Sequence, residues 1–544
     1  MIRLFLQERV AKFPKPSWRK SFWRTHFNRR LYQNVVSFRA AKRRRMTSIR
    51  IFARKGSRFH METALRVLSD NEIEQVHERS LSLLATTGVR VDTKRGRKIL
   101  KEAGADVDNG TDIVRFPRSL VEECLRLAPH DFTLGGRRPG WSFTVNHNDC
   151  TLLADGAAVH VMDSLTGDRH PATFDDWLNA TRLIDALDEV GVYWSMVEPT
   201  FFQKSIADFV SYWRQMVTNF SKHLQDCSYT VEESRWMLEV LGTVFGGKEE
   251  VRELNPFSFL LTPVSPLVIE AEHTDAYLET ITWGIPVAIM PMPMMGGTAP
   301  ASLISTLLLA NCETLATLCL VQAAAPRTPT VYAAAPSIMD PLTGRFTGSE
   351  VEHGMLGAAV TEIARYYGLP VEASAGSSGH YMPGIRSSYE RALNWAISSL
   401  SWPDLLVGPG QLGGSMILSL EQLMIDVEIF RRCDRLSDGI DTSVEEWLEV
   451  DLAAVGHGGN FLGRRSTREA FNSGEVYVSD FDTRDSYESW SASGKPSLLE
   501  DLHDLIKETL AAHETLPLDE DVERELAAIE ERARQSAQTL QPKG

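Results

Sequence analysis

From about residue 193 onward, short apolar runs alternate with longer amphipathic stretches. Each of seven runs precedes a stretch with helical spacing. Parallel strands need helical crossovers, and eight such units close into a barrel. We therefore predict an α/β protein with a (β/α)8 TIM-type barrel and assume an eighth unit that the pattern does not show. The predicted strands span residues 194–198, 222–227, 257–262, 286–291, 329–335, 370–375 and 404–408, and the predicted helices 207–217, 231–245, 266–283, 300–324, 351–367, 385–400 and 420–435.

The segments on either side of this alternation have different patterns. Ser69 and Glu72 form a capping-box sequence that predicts a helix over 71–87, and short alternating stretches in 132–170 predict hairpins. Charged helical stretches follow residue 441. We therefore predict a helical and β-rich lead-in at 61–190, the barrel core at 191–440 and a C-terminal packing extension at 441–544.

Charge is unevenly distributed along the 544 residues. Residues 1–60 hold 18 Lys or Arg and one acid, a net of +17, so a total of −15 leaves −32 on the remainder. The acidic body argues against a nucleic-acid groove. We interpret residues 1–60 as a basic extension that is disordered or precedes the true start, because Met46 and Met61 offer later starts. A nucleic-acid or membrane arm and a transit peptide are the alternatives.

Composition excludes several classes of protein and site. Hydrophobic residues make up 43% and charged residues 24%, as in globular proteins. The six cysteines form no Cys-x-x-Cys pair, which favours a cytoplasmic location. No run reaches the ~20 apolar residues of a membrane span, and no His-x-x-x-His or Cys cluster indicates a metal site. A P-loop and an Asp-x-His-x-x-Gly motif are also absent.

The loop that follows the predicted strand at 370–375 gathers polar and aromatic residues. It carries His380 and Tyr381, and Arg386 begins the next helix. A loop histidine is commonly a solvent-exposed or capping residue, but residues at the carboxyl ends of barrel strands form the active sites of this fold. We therefore take all three as candidate site residues.

Two other loops supply further candidates. Tyr332 lies in a predicted strand, and Asp340 and Glu350 follow it. In one interpretation Tyr332 is a core aromatic and the two acids belong to helix starts. In the other, the ring and the two carboxylates face a cationic ligand. Gln411 lies in the sequence Gly408-Pro-Gly-Gln-Leu-Gly413, which matches Gly-x-Gly-x-x-Gly. This match comes long after the first strand of the alternation, so a dinucleotide site is not favoured.

Several stretches together resemble the trimethylamine methyltransferase superfamily, specifically its members without pyrrolysine. The resemblance covers about residues 62–535 and rests on residues 77–89, 101–105, 286–300 and 332–340, on Asn311-x-Glu313, on Ser419-x-Glu421-Gln422 with Asp426-x-Glu428, and on 458–462.

The resemblance implies a barrel enzyme that moves a methyl group from a methylated amine, such as the quaternary amine glycine betaine, to the cobalt of a separate corrinoid protein. This chain would then bind no cofactor of its own. On this hypothesis Glu350 and His380 are catalytic, and Tyr332, Asp340, Tyr381, Arg386 and Gln411 bind substrate. The expected partners are a corrinoid protein, a small methylated amine and further copies of this chain in a homo-oligomer.

One departure keeps two alternatives open. Relatives often carry Lys, Asp and Gln in the loop after the strand at 370–375, whereas this chain reads Ser377-Ser-Gly-His380-Tyr-Met-Pro. The chain could therefore be an amine-binding barrel without turnover. The other alternative is an unrelated barrel lyase or hydrolase that uses His380 as its base.

Overall fold

Eight parallel strands form the centre of the computed structural model, which describes residues 65–146, 149–473, 475–479, 481–495 and 497–540. The predictions for residues 1–60 lie outside these ranges. In chain order the strands are β1 (Thr151–Leu153), β2 (Val190–Tyr193), β3 (His223–Asp226), β4 (Phe257–Leu261), β5 (Val287–Ile289), β6 (Thr330–Tyr332), β7 (Glu372–Ser374) and β8 (Leu405–Val407).

The strands pair in the order β6-β5-β4-β3-β2-β1-β8-β7, and every pairing is parallel. A parallel bridge between Tyr332 and Val371 joins the two ends, with the Tyr332 N–H donating to the Pro370 carbonyl at 2.8 Å. The sheet is therefore closed, and the predicted (β/α)8 barrel is confirmed. The boundary at 191 was wrong, because β1 begins at Thr151 inside the segment predicted as lead-in. The short β1 has no strong strand pattern of its own.

A helix follows each strand, as the alternation predicted. Five of these helices begin directly after a residue whose side chain accepts from a free N–H of the first turn, for example Thr230, which forms a capping box with Glu233. Their bounds are α1 (Phe174–Ala186), α2 (Ile206–Asn219), α3 (Val231–Phe245), α4 (Ala271–Thr280), α5 (Leu303–Ala324), α6 (Val351–Tyr366), α7 (Ile385–Ser399) and α8 (Leu420–Ser437).

By length and composition, helix α5 could span a membrane, although its sequence contains no uninterrupted apolar run of ~20 residues. However, 78% of its apolar window is buried inside the protein. Its Glu313 accepts hydrogen bonds from the Leu267 N–H and the Ser265 hydroxyl, so the acid in this apolar helix anchors the loop after β4. These properties are those of the core helix of a folded domain.

The lead-in covers the amino-terminal side of the barrel. Ser69 and Glu72 form the predicted capping box of the first helix. A hairpin of Thr133–Leu134 and Phe143–Thr144 packs Leu134 and Phe143 against the inward side chains of Leu153 and Val192, which closes this mouth. The lead-in helices are Asp70–Thr86, Lys94–Glu102 and Arg118–Leu127, and a small sheet joins Val89–Val91, Asp106–Asp108, Ile113–Arg115 and Val268–Ile269.

Short strands and helices complete the described chain. The strands Gln411–Leu412 and Ile417–Leu418 join His160–Met162 and Arg169–Pro171 in a sheet beside the carboxyl-end loops, and Met294–Met295 pairs with Ser337–Ile338. The remaining helices are Lys248–Leu254, Glu449–Val455, Arg465–Ser473, Tyr487–Ala492, Leu498–Ala512 and Glu520–Leu540, with single 3-10 turns at Thr200–Phe202, Ile281–Trp283 and Val444–Trp447.

Candidate functional site

Alternate side chains of each barrel strand point into the barrel, and this decides which polar groups share the interior. Leu260, Ala288 and Val331 of adjacent strands pack together inside, whereas their neighbours in sequence pack against the surrounding helices. Gln225 of β3 donates from Nε2 to Oε2 of Glu372 of β7 at 3.0 Å. These strands lie on opposite sides of the barrel, so this hydrogen bond crosses the interior.

Glu372 is a buried acid with incomplete hydrogen bonding. Its Oε2 accepts from Gln225, but its Oε1 has no partner among the described residues. Burial, together with the nearby carboxylate of Asp155, raises the pKa of Glu372 to about 8, despite the opposing effect of the Gln225 hydrogen bond. Burial likewise raises the pKa of Asp155, just beyond β1, to about 6. Two neighbouring carboxyl groups with raised pKa values therefore share one end of the barrel.

Gln411 covers Asp155 from the loop after β8. Its Nε2 donates to the Asp155 carbonyl at 2.6 Å, and its Oε1 is buried with no partner in the described part of the chain. Gly156 makes this approach possible, because a Cβ there would lie 2.1 Å from the Gln411 side chain. The structure thus brings the predicted binding residue Gln411 against the backbone of Asp155, whose carboxylate acts on Glu372.

Acceptor atoms without donors and soft apolar surfaces characterise this interior. Three buried oxygens have no partner within the described ranges, namely Oε1 of Gln225, of Glu372 and of Gln411. Buried polar atoms are normally paired, so these oxygens call for a ligand or water. Trp194 and Met290 pack on the inner apolar clusters and remain partly exposed. Carboxylates, an indole face and a thioether together suit an organic cation.

The charge of Arg391 opposes the effect of burial on the pKa of Asp155, but two other basic side chains of the interior do not act in this way. His223 lies lower in the barrel, and its burial lowers its pKa to about 4, so its ring is neutral. The ammonium of Lys222 points to the amino-terminal side, where it donates to the carbonyls of Ile184 and Leu187. Neither group offsets the carboxylates of Glu372 and Asp155.

A buried ion pair holds the loops after β7 and β8. Arg391 of α7 donates from Nε to Asp426 of α8 at 2.6 Å and from Nη1 to the carbonyls of Gly376 and Gln411 at 3.3 and 3.1 Å. Asp426 also accepts from the Gly410 N–H at 2.7 Å. The guanidinium therefore ties two loops and a helix together and fixes the backbone of Gln411.

The sequence comparisons show the family of this chain. A family model described as trimethylamine methyltransferase (MTTB) matches residues 37–537, beginning inside the basic extension of residues 1–60. The chain belongs to the MTTB family. This family consists of corrinoid-dependent methylamine methyltransferases, whose acceptor is a separate corrinoid protein.

The curated relatives cover nearly the whole chain. The trimethylamine methyltransferase MttB1 of Methanosarcina acetivorans is 28% identical over 483 residues, which is 86% of this chain and 95% of the relative. The glycine betaine methyltransferase of Desulfitobacterium hafniense is 25% identical over 469 residues, 85% of this chain and 96% of the relative. A solved hydroxylamine complex of MtmB aligns with TM-score 0.45 and 10% identity, over 87% of this chain and 92% of that one.

Four of the residues predicted to form the site of this MTTB-family chain lie on neighbouring loops of one rim. The loops after β6, β7 and β8 contact each other through the Ser377 N–H, which donates to the Gly348 carbonyl at 3.2 Å, and the Gly413 N–H, which donates to the His380 carbonyl at 2.9 Å. The four residues on these loops are Glu350, His380, Tyr381 and Gln411.

Glu350 and His380 differ in how firmly they are held. Glu350 accepts a hydrogen bond from Thr347, and its other carboxylate oxygen is buried without a partner among the described residues. The half-buried His380 ring forms no hydrogen bond or ion pair with the residues that the structure describes. Their catalytic roles therefore stay predictions.

Three predicted binding residues of this MTTB-family chain lie away from the interior acids. Tyr332 points outward, and its hydroxyl donates to Asn311 of α5 at 3.0 Å, because strand alternation puts Val331 inside instead. The Asp340 carboxylate accepts from the Thr343 N–H at 2.7 Å and caps its own turn. Arg386 is exposed at the start of α7. None of the three reaches the interior acids.

The residues that the sequence did not reveal had faint signals. Glu372 interrupts an otherwise apolar strand, and an acid in such a run needs a partner or a function. Asp155 lay in a stretch interpreted as hairpins, and Gln225 in the weakest predicted strand. The position of Arg391 in the helical pattern of α7 does not distinguish it from an arginine on the protein surface. Only the closure of the barrel brings the first three of these residues together.

Proposed function

We propose that this MTTB-family enzyme takes its methyl group from a quaternary, betaine-like amine, for which glycine betaine is the model, and transfers it to the cobalt of a separate corrinoid protein. The cluster of unpartnered acceptors on Glu372, Gln225 and Gln411 carries the proposal. Two further observations support it. The chain is similar to a glycine betaine methyltransferase, and its sequence contains no pyrrolysine.

The number of acceptors favours a quaternary nitrogen over a tertiary one. A protonated tertiary amine directs its single N–H to one of the three oxygens and offers fewer C–H groups to the other two. A quaternary ammonium spreads its charge over its methyl groups, whose C–H bonds can approach several oxygens at once. The indole face of Trp194 adds a further surface for such a cation.

The chemistry needs no general acid. The N–CH3 bond breaks, its electron pair stays on nitrogen to give a neutral tertiary amine, and the methyl group goes to cobalt(I). The residues of this chain supply desolvation and alignment, for which a closed barrel with an acidic interior is suited. Glu372 and Asp155 would hold the cation, and Gln411 would fix its depth. Glu350, His380 and Tyr381 stay predictions for the rim.

A methyl-transfer assay tests this proposal directly. Purified full-length protein, a reduced corrinoid protein and a panel of glycine betaine, other quaternary amines and trimethylamine would be mixed, and the visible spectrum of cobalt(I) followed. We expect conversion to methylcobalt with at least one betaine and a rate at least tenfold lower with trimethylamine. Conversion with trimethylamine alone would refute the quaternary substrate while leaving the family activity intact.

Calorimetry with the same panel addresses the two alternatives. Saturable betaine binding without any methyl transfer would select the binding barrel that the altered loop at 377–385 suggested. A lyase or hydrolase would need an oriented base, and such bases are usually held by a second polar group. His380 has no such group among the described residues, and turnover that survives His380→Ala would remove this alternative. We also propose a cytoplasmic location, consistent with the six free cysteines.

A further inference from the structure

A segment of 33 residues leaves the barrel after α8 and contains no buried residue. We call residues 440–472 the arm. Each residue of the arm is exposed or only partly buried, although the arm contains the helices Glu449–Val455 and Arg465–Ser473. Short helices without a buried face are not stable by themselves in water. The arm therefore has an ordered backbone but no core within its own chain.

The arm is anchored at its two ends and braced internally. Arg435 of α8 donates to the Gly439 carbonyl at 2.8 Å and to the Glu475 carbonyl at 3.0 Å, on either side of the arm. Inside the arm Thr467 donates to the Phe461 carbonyl at 2.8 Å, and Arg464 pairs with Asp451. These bonds fix the arm as a shaped projection on the body of the protein.

Large apolar side chains cover this projection. Nine of them are exposed, at about 100 Å² each, which is on the order of 1,000 Å² of apolar surface and exceeds the few hundred Å² that a monomer commonly tolerates. A standard interface buries about 800 Å² on each partner, so the arm alone is large enough for one. The nine residues are Ile440, Val444, Trp447, Leu448, Val450, Leu452, Phe461, Leu462 and Phe471.

The charges of the arm are divided between its two halves. Residues 441–451 contain five acids and no base, and residues 464–468 contain three arginines and no acid. Arg464 pairs with Asp451 and Arg465 with Glu469, so Arg468 is the arginine of this group without an ion pair among the described residues. Two copies related by a two-fold axis and arranged antiparallel would place the acidic half of each against the basic half of the other. The arm is thus complementary to itself in charge as well as in its apolar character.

We propose that two copies of this chain pair through their arms in such an antiparallel, two-fold interface. A second copy suits this surface better than the corrinoid protein does. So much apolar area needs permanent cover, whereas a methyl acceptor has to dissociate after each transfer. This interface is independent of the proposed substrate, so failure of either proposal leaves the other standing.

The particle mass of the full-length protein, measured by light scattering during gel filtration, tests the proposal. We expect an even number of copies for the wild type and half of that mass for Leu462→Glu, which places a charge at an 86% exposed position of the arm. Leu342→Glu is the matched control, because Leu342 is 92% exposed outside the arm and its replacement should leave the mass unchanged. A monomeric wild type, or an unchanged mass for Leu462→Glu, would overturn the interface.

A charge exchange tests the antiparallel arrangement. Glu446→Arg and Arg468→Glu should each raise the dissociation constant about tenfold, because each places like charges across the interface. The double variant should recover to within about threefold of the wild type. A double variant no tighter than the single ones would overturn this arrangement. Pairing that occurs only after the corrinoid protein is added would overturn the proposal altogether.

Discussion

Two buried carboxylates lie within the same barrel but have opposite surroundings. Asp426 has charged or polar donors on both oxygens, from Arg391, the Gly410 N–H and Gln422. Glu372 has one donor on one oxygen, the amide of Gln225. A carboxylate with complete hydrogen bonding stabilises the fold, whereas one left incomplete costs stability and is retained where a ligand completes it.

The same contrast separates the two faces of a single strand, β6. Tyr332, on the outer face of β6, is hydrogen bonded inside the helix layer, and its neighbour Val331 faces the interior. The outer faces hold the barrel together, and the inner faces near the carboxyl ends form the site. Substitutions on the two sides should therefore affect different measurements.

Loss of Arg391 should have the largest effect on stability. Arg391→Ala would leave the Asp426 carboxylate buried without its cation, and we expect a loss of about 3–5 kcal/mol in the free energy of unfolding. Urea denaturation followed by circular dichroism measures it. The double variant Arg391→Met with Asp426→Leu should recover much of the loss, because no unpaired charge remains. A single variant as stable as the wild type would contradict the assignment of Asp426 as a structural carboxylate.

Glu372→Gln should weaken substrate binding by about 10- to 100-fold, since a desolvated counter-charge contributes about 1.5–3 kcal/mol. The measurement is the dissociation constant for glycine betaine by calorimetry. Glu313→Gln is the matched control, because burial raises the pKa of Glu313 to about 7 while its side chain serves the loop after β4. Equal losses of affinity in both variants would show that a buried acid in general, not the interior site, is responsible.

The affinity for the quaternary cation should rise with pH. The cation binds the ionised acids, and the pKa of Glu372 is about 8 and that of Asp155 about 6, so affinity falls as pH decreases from 8 to 6. The ionisation of each group changes the affinity by at most about tenfold per pH unit. Titrations from pH 5.5 to 8.5 check this, and Glu372→Gln should flatten the upper part of the curve.

Stability should change with pH in the opposite direction. Because the pKa of Glu372 is raised on folding, the folded state holds this proton more tightly, and its stabilising effect is lost as pH rises through about 8. Thermal unfolding without ligand should therefore show a melting temperature that falls as pH rises from 4.5 to about 8, less steeply in Glu372→Gln, with no further contribution from this group above pH 8. In the affinity titration described above, a dissociation constant that stays the same from pH 5.5 to 8.5 would exclude the two acids from the binding site.

The smallest effect is expected on the outer face of the barrel. Tyr332→Phe removes the hydrogen bond to Asn311 and should cost about 1 kcal/mol of unfolding free energy without changing betaine affinity. Trp194→Leu, on the inner face, should instead weaken affinity about tenfold through loss of its cation–π contact. Parallel urea denaturation and calorimetry of both variants make the comparison. A large loss of affinity in Tyr332→Phe would restore this tyrosine to the site.

Periodicity predicted the elements of the fold more reliably than their limits or their faces. Six of the seven predicted strand regions overlap barrel strands, the region predicted at 194–198 begins directly after β2, and the helix at 231–245 has the predicted bounds. The eighth strand was missed because β1 lies among the turn residues and short alternating stretches of 132–170, which were interpreted as hairpins. The loop residues Glu350, His380 and Gln411 were placed on one rim because carboxyl ends of parallel strands converge.

The sequence by itself determined the alternation of strands and helices, the rim on which a site had to lie and the family resemblance, because these depend on local spacing and on motifs. Only the tertiary structure decided that Tyr332 faces the helices, that Arg391 is paired and that Glu372 meets Gln225 across the barrel. The direction of a side chain and its partner across the interior depend on how the sheet closes, and closure joins residues roughly 150 positions apart. A local stretch of sequence therefore does not show which distant residue a side chain will contact.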